Sequence, residues 1–280
     1  MFKSTLLLLL VTASAIAQAP IRLIVQGDDM GAAHSINAGT IKGYRDGILR
    51  TANFMVPTPW MPEAVRLLKE NPGLDAGIHL TMTSEWTLVK WRPLTFAPSL
   101  TDINGYFYPV VQPRPGMAPG QSLGESKPKL EEVEKELRAQ IEQGKRLVPR
   151  VSYMTAHMGF SGVTPEVREL FKRLAAEYKL VIPGEATGIK NIPRMYLQTD
   201  TAEVRVAKIV HALENLGPGT WLWLDHGALD VPEMHAIYHP GYENVAEDRA
   251  AVVATWTHPK IKEVIERRHI QLVGHNKSAY

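Results

Sequence analysis

Two carboxylates stand side by side in "VQGDDMG" (25–31), where Asp28 and Asp29 close an apolar run that reads as a buried strand. Adjacent anions at such a place need either solvent or a cation. Three histidines occupy equivalent places: His79 in "DAGIHL", His157 in "SYMTAHM" and His226 after "WLWLD". Aspartate oxygen and imidazole nitrogen together suit a divalent cation. Three protein ligands with an open position would mark a catalytic centre rather than a structural one. Each residue also has an ordinary reading. Asp28 and Asp29 could form a plain strand-to-helix turn, His79 and His157 could be core histidines bonded to backbone, and His226 could pair with Asp225. What favours a site is their common position, because the C-terminal ends of strands form the functional face of α/β barrels.

The elements that must position these residues alternate. Strand-like runs are read at 22–26, 51–56, 74–82, 150–158, 179–183, 220–227 and 270–274. Helical periodicity is read at 36–47, 61–73, 129–144, 164–178, 200–219, 246–256 and 258–269. Within 129–144, Leu130, Val133, Leu137 and Ile141 recur at helical spacing, and Thr164 followed by Pro165 is a helix-start signal. Alternation of this kind implies an α/β fold of about seven mostly parallel strands covered by helices, and an irregular (β/α) barrel of the TIM-barrel-like kind is expected. An open doubly wound sheet is the alternative, since strand order is not written in one sequence. No glycine-rich phosphate loop follows the first strand, and its two carboxylates would repel phosphate. Residues 83–127 break the rhythm with Pro, Gly, Trp and Tyr, as an insertion with a function of its own would.

The 280 residues carry 31 basic and 29 acidic side chains, interspersed, which is no nucleic-acid footprint. There is no cysteine, so neither a disulfide framework nor a lipoprotein anchor is available. Lys3, the apolar run Leu6–Val11 and small residues at Ala15, Ala17 and Ala19 form a secretory signal pattern. That run is too short to span a bilayer, which takes roughly 20 apolar residues. The expectation is a leader over 1–19, one domain over 20–280, and export to the periplasm or beyond.

"LIVQGDDMG", "GIHLTMTSEW" and "AHMG" occur in the order and spacing that resemble the YdjC-like carbohydrate deacetylases, which include the chitooligosaccharide deacetylases. "NGYFYP" and the late "HPKIKEVIERRHIQLV" extend the likeness over most of the chain. The resemblance implies an irregular (β/α) barrel and metal-dependent removal of an N-acetyl group from an amino sugar. It implies that Asp29, His79 and His157 hold one divalent ion, zinc or magnesium, and that Asp28 is the general base. For a late histidine that protonates the leaving amine, His226 has the right position after a strand, whereas His239 in "YHPGY" has the family's letters but falls in a loop. His226 is preferred. Tyr153 and Thr155 stand where the family has histidine and aspartate, so the outer shell of the metal site is expected to differ. Sugar is expected against Glu85, Trp86, Trp91, Arg92 and Tyr106 of the long segment, and Arg249 resembles a family position near the site. The alternatives are a secreted carbohydrate-binding protein on the same barrel without turnover, and another metal hydrolase such as a phosphoesterase.

Overall fold

The computed structural model describes residues 19–184, 187–193 and 195–276. The expected leader lies outside them except for its last residue. In chain order the elements are β1 (Ile21–Met30), α1 (His34–Arg45), β2 (Thr51–Phe54), α2 (Met61–Glu70), β3 (Asp75–Leu80), α3 (Leu130–Leu147) and β4 (Tyr153–Ala156). Then follow α4 (Pro165–Tyr178), β5 (Ile189–Asn191), α5 (Ala202–Glu214), β6 (Gly219–Asp225), α6 (Val245–Thr257), α7 (Pro259–Arg267) and β7 (Gln271–Leu272). The seven strands form one parallel sheet in the order β4-β3-β2-β1-β6-β5, with β7 against the start of β1. It curls into a half-barrel with helices outside, the barrel-like α/β fold the alternation implies.

The core is continuous from strand to helix. Leu23 and Val25 of β1 pack with Ile36 of α1, Leu68 of α2 and Trp256 of α6 in one buried cluster. Inside the curl, the Tyr153 ring lies where a side chain on its β3 neighbour Gly77 would stand. Thr164 caps α4 by accepting from the Val167 N–H, with Pro165 in the first turn, as the sequence implies.

Two expectations shift. The run 179–183 forms no strand; Val181 makes a single bridge to Tyr153, flanked by hydrogen bonds to Ser152 and Met154. β5 forms instead at 189–191, where only Ile189 is buried, and takes the edge beside β6. The segment between β3 and α3 is held from below by α3. Carboxylate oxygens of Glu136 accept from the N–H groups of Leu94 (3.0 Å) and Thr95 (2.9 Å), and Glu132 accepts from Ser99 N–H (2.8 Å). Leu130, expected on the apolar face of α3, is instead exposed. Among the described residues no helix is long and apolar enough to cross a membrane.

Candidate metal centre

The aspartate pair sits in a bulge. Gly27 pairs with Ala52 and Met30 with Phe54, so three steps along β1 match two along β2. Asp29 absorbs the extra residue at φ 71°, a left-handed conformation that aspartate tolerates better than most side chains. In a regular strand, neighbours point to opposite faces. The bulge instead lets both carboxylates face one imidazole: His79 Nε2 lies 3.7 Å from Asp28 Oδ2 and 3.5 Å from Asp29 Oδ1.

His79 comes from β3, and its Nδ1 meets the Thr155 hydroxyl at 2.6 Å. His157 follows β4 directly and opens a tight turn in which Met158 and Gly159 both take positive φ. Its Nδ1 is 3.4 Å from Asp29 Oδ1 and 3.3 Å from His79 Nε2, while its Nε2 meets Glu85 Oε2 at 2.9 Å. Asp29, His79 and His157 are all buried, and one ligand atom from each lies within 4.8 Å of the others. Asp29 Oδ1 is buried yet has no hydrogen-bond partner. A buried acceptor without a donor is costly, and one that faces two imidazole nitrogens is what a cation would complete. Each histidine turns its other ring nitrogen to an oxygen, Thr155 for His79 and Glu85 for His157, as metal-binding histidines do. The residues present therefore fit a divalent cation. Thr155 supplies the outer shell on His79.

Charge is balanced within the cluster by its own side chains. Burial alone would push the Asp29 carboxyl up, but His226, His157, His79 and Arg249 together hold it well below the usual carboxylate range. Burial likewise opposes charging of His157, and Glu85 and Asp29 outweigh it, raising the imidazole to about 10, so a cation bound there would displace a proton from this ring. The Arg249 guanidinium, from α6, donates to Asp29 Oδ2 at 3.0 Å and lies 5.1 Å over the Trp86 ring.

A cavity of about 680 Å³ opens beside the cluster. Glu85, Trp86, His226 and Arg249 line it, as does His239, whose ring stacks on Trp86 at 5.7 Å between centroids. Trp91, Arg92 and Tyr106 do not. Trp91 is buried, its indole N–H donates to Thr83 O at 2.7 Å, and its ring meets His157 edge-on. Arg92 lies 4.2 Å over Tyr106 and donates to Asn104 O, so these two side chains serve the loop itself. The lining also holds residues that sequence reasoning missed. Tyr196 donates to Asp225 and Tyr242 to Asp248, and all four line the cavity. Both tyrosines come from irregular stretches, where no periodicity marks them.

A family model described as YdjC-like protein matches residues 22–267. A carbohydrate deacetylase of Thermus thermophilus is 30% identical over 267 residues, covering 88% of this chain and 90% of that protein. A carbohydrate deacetylase of Geobacillus stearothermophilus is 31% identical over 265 residues, covering 91% and 96%. Among solved structures, a candidate cellobiose-phosphate cleavage protein of Enterococcus faecalis V583 superposes with TM-score 0.71 at 22% identity, covering 92% of this chain and 98% of that one, a likeness of fold. With a family match that takes in the bulged aspartate pair, His79 and His157, the chain belongs to the YdjC-like family.

Proposed function

We propose that this protein is a metal-dependent hydrolase that removes N-acetyl groups from oligo- or polysaccharides containing amino sugars. The observation that carries the proposal is the unpartnered Asp29 Oδ1, facing His79 and His157 with a second carboxylate, Asp28, beside it. Its deacetylase-named relatives support the substrate class. A cation held by Asp29, His79 and His157, zinc or magnesium, supplies Lewis acidity and lowers the pKa of water.

The chain's own residues do the rest. Asp28 accepts a proton from the attacking water as general base. Arg249 and Glu85 hold Asp29 and His157 in place. His226, which lines the same cavity, donates a proton to the leaving amine. Trp86, buried between Arg249 and His239, shapes the cavity wall against which the sugar binds. The signal pattern over 1–19 supports an exported protein, a leader followed by one domain over 20–280.

The test is acetate release from N-acetylglucosamine oligomers, with and without chelator. Release that stops with chelator and returns with zinc or magnesium is expected. Release indifferent to chelator, or none from the metal-loaded protein over a panel of N-acetylated glycans, overturns the proposal. Within it, Asp28→Asn keeps the metal and lowers kcat by ~10²–10⁴.

A further inference from the structure

The two oxygens of Asp28 are used differently. Oδ1 accepts from Gln26 Nε2 at 2.7 Å and from Asn53 Nδ2 at 2.7 Å. Oδ2 faces His79 Nε2 and the metal cluster. We propose that Gln26, Asn53 and His275 are positioning residues that pin Oδ1 of Asp28 and so present Oδ2 to the reacting water. This inference rests on Asp28 being the general base.

The direction of each hydrogen bond follows from the chemistry. An ionised carboxylate can only accept, so Gln26 must turn its amide nitrogen to Asp28. Its Oε1 is thereby turned to His275 Nε2, 2.7 Å away, and that nitrogen must carry a proton. Burial pushes the His275 imidazole down to about 3, so the ring is neutral at pH 7 and donates as the Nε2–H tautomer. Remove that donor and Gln26 Oε1 is left buried without it, so the amide keeps only one of the two contacts that hold it beside Asp28.

His275 is brought there by the end of the chain. Val273 N–H donates to Leu23 O at 3.0 Å, and Asn276 N–H donates to Asp75 Oδ2 at 3.2 Å. The His275 ring lies 4.2 Å from that of Tyr153, inside the curl. Asn53 extends the chain the other way. Its second amide hydrogen goes to Thr155 Oγ1 at 2.8 Å, and Thr155 holds His79 Nδ1. The base and one metal ligand are thus tied through Asn53, and the base is tied through Gln26 to the C-terminal tail.

The experiment compares Gln26→Met, His275→Phe, His275→Gln and the double variant Gln26→Met/His275→Phe. Each is assayed for kcat, KM, metal content and melting temperature. Gln26→Met and His275→Phe should each lower kcat by ~10–100-fold, the scale of other outer-shell losses, with KM and metal content unchanged. His275→Gln, which keeps a donor, should restore most of kcat. The double variant should be no slower than Gln26→Met, because His275 acts through Gln26. Additive losses, or equal kcat in His275→Gln and His275→Phe, overturn the proposal. Should Gln26→Met not fold, the two His275 variants decide alone. Asp28→Asn separates the two readings: full turnover in that variant removes the base assignment, whereas an inactive Asp28→Asn beside a fully active Gln26→Met removes only this inference.

Discussion

The cluster at the ends of β1, β3 and β4 and the segment running from β3 to α3 bound the same cavity but are held in different ways. In the cluster, backbone pairing fixes His79, opposite Thr155 in the β3–β4 register, and the β1–β2 bulge sets the aspartates, while His157 follows directly on β4. Asp28, Asp29, His79 and His157 are all buried. The segment pairs with no strand of the sheet and is clamped by side chains of α3. Its first residues, Glu85, Trp86 and Trp91, are buried against the cluster, whereas Phe96 is 83% and Ile103 100% exposed. Chemistry that needs fixed distances sits where strands pair, and contact with a variable substrate falls to a loop held at its base.

The largest effect should come from breaking the rigid side. His79→Ala removes one ligand of three and should bring bound metal, read by elemental analysis of the purified protein, to background. With it goes a role worth several kcal/mol to the reaction, so kcat should fall by at least ~10²-fold. A variant that keeps both metal and turnover would dissolve the distinction between the regions.

Glu85→Gln tests the residue that belongs to both. It lies in the segment, yet its carboxylate holds His157 Nε2. Metal affinity, measured by competition with a chelator, should weaken by ~10–100-fold while folding persists. Unchanged affinity would return Glu85 to the segment's side as a substrate contact alone.

The same contrast decides how much the sequence reveals. Asp29, His79 and His157 are legible because each follows an apolar run, and parallel strands end on one face. The helices are legible for the same reason, their periodicity being set by burial. The bulge at Asp29 is not, since no residue type encodes a missed pairing. Nor is β5, whose three residues include one apolar side chain and whose place depends on β6. "KLVIP" reads as a strand because it is apolar, but it serves the core with a single bridge. Glu136 reads as the polar side of an amphipathic helix; only the folded chain shows it buried beneath Leu94 and Thr95. The aromatics of the segment look alike in sequence, yet Trp86 lines the cavity while Trp91 supports it from behind.

Trp86→Ala should have an intermediate effect, confined to binding. It removes the ring beneath Arg249 and beside His239, at a cost of about 1 kcal/mol or more for each such contact. KM for N-acetylglucosamine oligomers should rise by about 10-fold, with metal content unchanged and kcat altered less than in Glu85→Gln. A fall in kcat with KM intact would move Trp86 to the catalytic side.

The smallest effect should be at the tip, where Ile103→Ser exchanges a fully exposed apolar side chain for a polar one. Such surface changes usually stay within about 0.5 kcal/mol of stability, so melting should barely move. Metal content, kcat and KM for short oligomers should match the parent protein. The informative comparison is with a long N-acetylated polymer. Equal KM there leaves the tip outside the substrate's path and confines recognition to the base of the segment. A KM that rises for polymer but not for oligomer would show that the exposed apolar tip is itself a contact for extended glycan, and that the segment recognises substrate along its length.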